Sequence, residues 1–366
     1  MAANQKELAR LAGVSQVTVS RVLRGTPGVS PKLRQRVLQT TRLYKYYPRS
    51  DARAMRRGKF QRIACAVTQY GPKGSTHCIY NGYLDPATDT FAEHGYSTIF
   101  EIFYMNVRTH SFIEAPRLFS ELSVDGVLGI HAAGPVASYV DDRLAELDAP
   151  VIWVNRNSSP GVVSVTCDEY GGARALTRHL IDLGHREIGY FGADSSHHSY
   201  PDRSRGVRDE LVAAGLDTSA TAPMRSNEEV LYVEMLLDRR PRITGLVCHN
   251  LQFYLMAASA AGIRGLKIPQ DLSIAYFANM WELFSLSNYP VTVMTVPDVL
   301  MSRAAANILM DALKYNRTPA NIPPIRGQLI PGYSTTPPGR EPDRNQLTLL
   351  KEQRRGVAHE IVYSPS

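Results

Sequence analysis

Apolar residues recur at helical spacing through the first 45 positions and in short β-like runs beyond position 61. In NQKELARLAGVSQVTVSRVLR (4–24), Leu8 and Leu11 mark one stripe, with Ala9 and Ala12 small enough for a close helix crossing. Val19, Val22 and Leu23 mark a second stripe. Gly13 lies between them, where a missing Cβ admits the positive φ of a sharp turn, and Ser15 is placed to cap the second helix. Gln16, Val17, Thr18, Ser20 and Arg21 are left on the outer face or its margins. Ser30-Pro31 reads as a cap followed by proline in the first turn. Leu33, Val37 and Leu38 then predict a third helix running to about Tyr44. Three such helices make a minimal core, small for independent stability.

Pro48 breaks the helical pattern. The stretch from Tyr47 to Lys59 reads as a linker in which Ser50 or Asp51 starts a short helix through DARAMRR. Its charged side chains leave little to pack on, so this helix is marginal alone. From Arg62 the texture becomes strand, helix, strand. IACAV, the stretch Tyr96 to Phe103, and residues 125–130, 150–154 and 162–166 read as strands, with a helical pattern ending near Gly95. A second set follows: helix 172–183 stopped by Gly184, strand 188–191, helix 206–214, strand 244–248, helix 253–261 and strand 272–277. Alternation of this kind means parallel βαβ units, and two consecutive sets predict two doubly wound lobes. Ligands of open α/β sheets sit beyond the carboxyl ends of the strands, here the space between lobes.

Charge sharpens the division. Residues 1–62 hold 15 Lys and Arg against two Asp and Glu, an excess of thirteen positive charges, so the remainder carries six net negative charges within the overall +7. So lopsided a start points to a polyanion partner, because neutralising phosphates releases counterions. Cys65, Cys78, Cys167 and Cys248 show no CxxC spacing and no His/Cys cluster; they read as reduced thiols of a cytoplasmic protein. No secretory signal core and no membrane-spanning apolar run occurs. The tail from 337 starts rich in proline and charge and lacks the heptads a tetramer would need, so it is expected to be disordered or packed on the body.

Catalytic signatures are missing: no nucleophile elbow, HExxH, P-loop or GxGxxG. His197-His198 is the one tempting metal pair, and adjacent side chains point apart on helices and strands. The chain reads as a non-enzyme without cofactor or metal.

The run AGVSQVTVSRVLRGTPGVSPKLRQRVLQ, followed by YPRSDARAMRR, resembles the headpiece and hinge of the lactose-repressor (LacI/GalR) family of bacterial transcription regulators. The rest of the chain to about residue 335 resembles that family's core more loosely. The resemblance implies a small all-α helix-turn-helix headpiece (1–46), a hinge helix and linker (47–60), and an effector-binding and dimerisation core (61–336). That core is two-lobed α/β, like the periplasmic binding proteins, with two doubly wound parallel sheets. Lobe one spans about 61–167 and 296–323, lobe two about 168–295 and 324–336, with a tail at 337–366. It also implies that paired hinge helices enter the minor groove of operator DNA through Ala52, Arg53, Met55 and Arg56. Met55 stands at the place of a wedging leucine, while Arg49 and Lys45 replace the usual asparagine and glycine. In the headpiece, Gln16 and Arg21 are expected to hydrogen-bond base edges and Val17 to meet a thymine methyl. Ser15, Thr18 and Ser20 are expected on phosphates.

For the cleft, the resemblance points to Tyr80 as a ring that stacks on ligand or packs in the core, Asn155 as a polar contact or a loop residue, and Arg203 as the ligand arginine, with Ser199 beside it. His249 and Asn250 stand where the family usually has Asn-Asp. Tyr276-Phe277-Ala278-Asn279 stands where it has Gly-[Tyr/Phe]-Asp-Asp. Two carboxylates are thus expected to be missing from the cleft wall. That favours a less usual effector, such as an acidic sugar, or a lost response.

Together these readings predict a homodimeric, sequence-specific repressor on a near-palindromic operator, modulated by a small carbohydrate-like effector and without a membrane partner. The alternative is a sugar-binding protein without a DNA role. The basic headpiece and the missing signal speak against it.

Overall fold

The computed structural model describes residues 5–23, 26–44, 59–70, 80–131, 138–157, 161–193, 197–222, 224, 229–239, 242–285 and 291–341. Contacts divide the chain into two compact units, Met1–Phe60 and Gln61–Ser366.

The first unit holds α1 (Gln5–Ala12), α2 (Gln16–Leu23) and α3 (Pro31–Leu43). Its core is Leu8, Ala9, Ala12, Val19, Val22 and Val37, with Val14, Leu23 and Val29 packed at the margin. Gly13 takes φ +59° at the α1–α2 turn. The backbone N–H of Thr18 donates to Ser15 Oγ (3.1 Å), and that of Leu33 to Ser30 Oγ (3.4 Å). Both caps satisfy first-turn donors that the helix leaves without partners. One expectation is corrected: Leu38 points outward, because Val37 alone fills the single α3 position that the small core can bury.

The second unit has two five-stranded sheets. β1 (Arg62–Tyr70), β2 (Ser97–Met105), β3 (Gly126–His131), β4 (Val151–Val154) and β5 (Val163–Val165) form the first, in the order β2-β1-β3-β4-β5, every pair parallel. β6 (Ile188–Phe191), β7 (Gly245–Cys248), β8 (Ser273–Asn279), β9 (Val293–Val296) and β10 (Leu329–Ile330) form the second, in the order β10-β9-β8-β7-β6. Only the two-residue β10 runs antiparallel. β1 is central and buried from Ile63 to Gln69, as expected of a parallel strand covered on both faces.

Helices α4 (Tyr80–Glu93), α5 (Ser138–Ala145), α6 (Glu169–Asp182), α7 (Ser199–Ala213), α8 (Glu229–Leu237), α9 (Leu251–Ile263), α10 (Met280–Ser285) and α11 (Asp298–Tyr315) complete the unit. Sequence periodicity starts α7 at Gly206; it begins seven residues earlier, because Pro201 falls in its first turn, where a missing N–H costs nothing. Helix α8 is apolar on most faces and so has no readable period.

The chain passes between the sheets at three places. Thr166–Asp168 leads from β5 to α6, Pro297 leads from β9 to α11, and a third segment leads from α11 back to β10. Helix α11 packs on α4 and on β3 and β4, although β9 just before it belongs to the second sheet. The first and third crossings run side by side: the Ile325 N–H donates to the Thr166 carbonyl (2.8 Å) and the Asp168 N–H to the Ile325 carbonyl (2.9 Å). No helix among the described residues is long and apolar enough to cross a membrane. The expectations for Lys45, Arg49, Ala52, Arg53, Met55, Arg56, Cys78 and the tail beyond Glu341 lie outside the described residues.

Candidate nucleic-acid interface and interlobe cleft

On α2 the buried residues are Val19 and Val22, so Gln16, Val17 and Arg21 stand exposed with Ser15, and Thr18 and Ser20 are half-covered. Val17 is 62% exposed, an apolar branched side chain held out in water by a helix that buries its other face. The hydroxyls of Ser15 and Thr18 pair with each other (2.9 Å) at the helix start. Arg36 donates to the Gly13 carbonyl (3.2 Å) and Arg34 to that of Thr26 (2.9 Å); both basic side chains brace turns. The arrangement is a rigid helix offering amide, methyl, hydroxyl and guanidinium groups, dimensioned for a major groove.

In the second unit the carboxyl ends of the strands bring together residues from seven separate loops. His131 ends β3, and Asn155 follows β4 with φ +61°, a left-handed conformation that asparagine tolerates. The Asn155 side-chain amide donates to the His131 carbonyl (3.2 Å), and its own carbonyl accepts from His197 Nε2–H (3.2 Å). The His131 and His197 rings stack at 5.3 Å, 9° from parallel. One lobe therefore touches the other through this imidazole pair.

The tautomers follow from the partners. Because Nε2 of His197 faces a carbonyl, its Nδ1 accepts from the Ser199 hydroxyl (2.8 Å). Ser199 Oγ lies 3.5 Å from His249 Nε2, and His249 Nδ1 accepts from Tyr190 O–H (3.0 Å). Tyr200 stacks on His249 at 3.6 Å between centroids. Burial, and then the charges of neighbouring imidazoles and Arg203, hold His197 far below the usual histidine range. His249 is pushed far down by burial and by Arg203, and His198 is lowered chiefly by burial.

Arg203 is the hub. Its Nε donates to Glu169 (2.6 Å), a second nitrogen donates to the His249 carbonyl, and its face lies 3.9 Å over the Phe277 ring. Both ionic partners are buried. Around it stand two carboxyls that the sequence pattern did not single out. Glu282 accepts from the Asn279 N–H, and burial raises it to about 7. Asp298 accepts from the N–H groups of Val299 (2.9 Å) and Met280 (3.4 Å), and burial also raises it to about 7. Asp298 has its seat only because residue 82 is glycine: a Cβ there would come within 2.1 Å of Asp298 Oδ2.

The structure thus brings together Asn155, Ser199, Arg203, His249 and Asn279 at one end of the sheets. Asn250 is turned to another task, capping α9 by accepting from the Phe253 N–H (3.2 Å). Tyr80 opens α4, and its side chain lies outside the described residues. Ala278 is buried in β8, yet the wall is not short of carboxylates as expected, because Glu169, Glu282 and Asp298 supply three. His197 and His198 do not point apart. Their rings lie 4.5 Å from each other, since the pair sits in the turn before α7, where neither helical nor strand geometry separates neighbours. Among the described residues no group of His, Cys, Asp or Glu is arranged to hold a metal ion. Signals for the missed residues were slight: Glu169 sits just before Gly171-Gly172, and Asp298 follows a proline.

Residues 5–49 match the family described as "Bacterial regulatory proteins, lacI family", and residues 177–335 match "Periplasmic binding protein-like domain". The chain is 27% identical over 318 residues to the HTH-type transcriptional regulator CelR of Thermobifida fusca, covering 84% of this chain and 90% of that protein. It is 26% identical over 321 residues to the HTH-type transcriptional repressor PurR of Vibrio cholerae, with 84% and 91% covered. Among solved structures it superposes on the lac repressor dimer bound to operator and the anti-inducer ONPF with TM-score 0.72 at 18% identity, covering 92% of this chain and 100% of that one. It superposes on a CelR–cellobiose complex with TM-score 0.63 at 24% identity, covering 91% and 99%.

Proposed function

Starting from the premise that the chain belongs to the lacI family of bacterial regulatory proteins and is a DNA-binding transcriptional regulator, we propose that it is a repressor. Two copies hold paired α2 helices against a near-palindromic operator, and a small carbohydrate-like effector enters the interlobe cleft. The observation that carries this reading is the outward face of α2, Gln16, Val17 and Arg21 exposed over a buried aliphatic floor, in a unit with a large positive excess. Ser15, Thr18 and Ser20 fix the register on phosphates. Ala52, Arg53, Met55 and Arg56 serve the minor groove between half-sites.

In the cleft, Asn155, Ser199, Arg203, His249 and Asn279 line the effector's place, while Tyr80 enters this reading on its sequence position alone and Asn250 acts only through the α9 cap. The His131–His197 contact gives regulation a physical basis. An effector that binds better to one separation of the lobes shifts the population toward it, and only its difference in affinity does so. The relatives named above are regulators.

The test is selection from random duplex pools with the purified chain, followed by gel-shift titration. Arg21→Ala is expected to lose about 1–3 kcal/mol of preference for the selected site over random DNA. Equal loss on both DNAs would make Arg21 a phosphate contact, and a chain that selects no sequence would refute the reading.

A further inference from the structure

The interlobe cleft, taken as the effector site under the reading above, holds two buried polar atoms that find no hydrogen-bond partner among the described residues: His198 Nε2 and Glu282 Oε2. Their side chains belong to residues only 5% and 7% exposed. A buried polar atom left unpaired is costly, and two of them within the field of one guanidinium mark a place that something else fills. Both groups feel the charge of Arg203.

The charge balance says what kind of group is wanted. Arg203 has its own counterion, Glu169, and spends a further donor on the His249 carbonyl. Glu282 and Asp298 add two more carboxyls, and Glu282 stands close enough to both Asp298 and Arg203 to register their fields. Burial keeps His197, His198 and His249 neutral. Fully ionised, the pocket therefore sets three carboxylates against one guanidinium. An incoming anion would compete with Glu169 for Arg203 and meet the field of Glu282 and Asp298. A cation would meet an acceptor already in place.

We propose that the effector carries a protonated amine that donates to the free oxygen of Glu282, and that Glu282 is the specificity-determining carboxylate of the cleft, replacing an acceptor at position 278. His198 Nε2 pairs with a neighbouring hydroxyl of the same molecule, and Tyr200 and His249 provide the stacked flat surface beside it.

This has a proton balance. Without a cation, burial keeps Glu282 protonated up to about pH 7. An ammonium group ionises it and releases one proton, so affinity rises as pH goes from about 5 toward 7 and levels off where the amine itself loses its proton. The groups that face Glu282 are Arg203 on α7 and Asp298 on α11, and Asp298, itself raised to about 7 by burial, titrates over the same range.

The experiment uses the full chain and three size-matched probes in two series: glucosamine, glucose and glucuronate, and galactosamine, galactose and galacturonate. Calorimetry and thermal shift are recorded for the wild type and for Glu282→Gln. An amino sugar is expected to bind about tenfold tighter than its neutral parent, the uronate weakest, with the amine preference and its pH dependence both lost in Glu282→Gln. A uronate that binds as tightly as the matching amine would overturn the proposal. So would an amine preference untouched by Glu282→Gln, or no binding by either amino sugar at millimolar concentration. Gel shifts on the selected duplex with the same preparation separate the two readings. DNA binding retained with no amine preference removes only this inference, while DNA binding absent removes the regulator reading itself.

Discussion

The two units solve recognition in opposite ways. In the first, six buried residues on three helices hold a surface, and every candidate contact lies outside that core. In the second, the candidate contacts are themselves buried, and Arg203, Glu169, His197 and His249 are all but closed off from solvent. An exposed reading face tolerates change in its contacts without loss of fold. A buried site makes the same side chains serve binding and stability at once, because an ion pair taken out of water cannot lose one member cheaply.

The comparison is broken most severely from inside the headpiece. Val19→Asp places a charge in a core too small to absorb it, so gel shifts should show DNA affinity down by on the order of a hundredfold or more. Calorimetric unfolding of the larger unit should be unchanged. A variant that still binds the selected duplex normally would mean that α2 does not rest on this core.

Next in size is Arg203→Ala. It leaves Glu169 buried and unpaired, and chemical denaturation should show about 3–5 kcal/mol lost from the second unit. Glu169→Gln made in the same background should recover part of that loss, since the stranded charge is then gone. Full stability in the single variant would mean that the pair is solvated and the site open.

The smallest effect sharpens the contrast by pH. All ten histidines lie beyond residue 60, so acid acts on the imidazoles of one unit alone. His185 donates through Nε2 to the Thr336 carbonyl (2.9 Å) and accepts at Nδ1 from the Thr244 hydroxyl (2.9 Å). Burial lowers it to about 4. A histidine depressed in the folded state binds its proton more readily when unfolded, so its contribution is present above about pH 6.5 and is lost as pH falls toward 4. Stability measured from pH 7 to 4 should therefore fall more steeply in the wild type than in His185→Gln, which keeps a donor and an acceptor without the titration. The raised carboxyls Glu282 and Asp298 act with the opposite sign, gaining stability as pH falls through 7, and are common to both proteins. Parallel curves would place His185 in contact with water.

Legibility in the sequence followed the same division. The α2 face could be read because its period, its turn at Gly13 and its cap at Ser15 all lie within a dozen residues, and the structure holds the helix with Val19 and Val22 inward. The alternation of strands and helices was readable for the same reason, apart from α7, disguised by Pro201, and α8, apolar on most sides. In the cleft, Arg203 was marked by its spacing to Gly206, but its partner Glu169 is 34 residues away and Glu282 stands in a six-residue helix without period. Ala278 suggested a wall without acceptors. Residues on neighbouring loops refill it.

Local order, then, was settled by the chain itself: three helices, two of them capped, a basic front end, and two sets of parallel strands, all written in short-range spacing and backbone preference. The tertiary structure alone decided which charges meet, that Asn250 caps a helix, that His131 rests on His197 across the lobes, and that Glu282 keeps a free oxygen. The reason is physical. Helix and strand formation depend on neighbours within a few residues, whereas burial, ion pairing and an unfilled acceptor depend on segments that parallel crossovers bring to one end of a sheet from far apart in the chain.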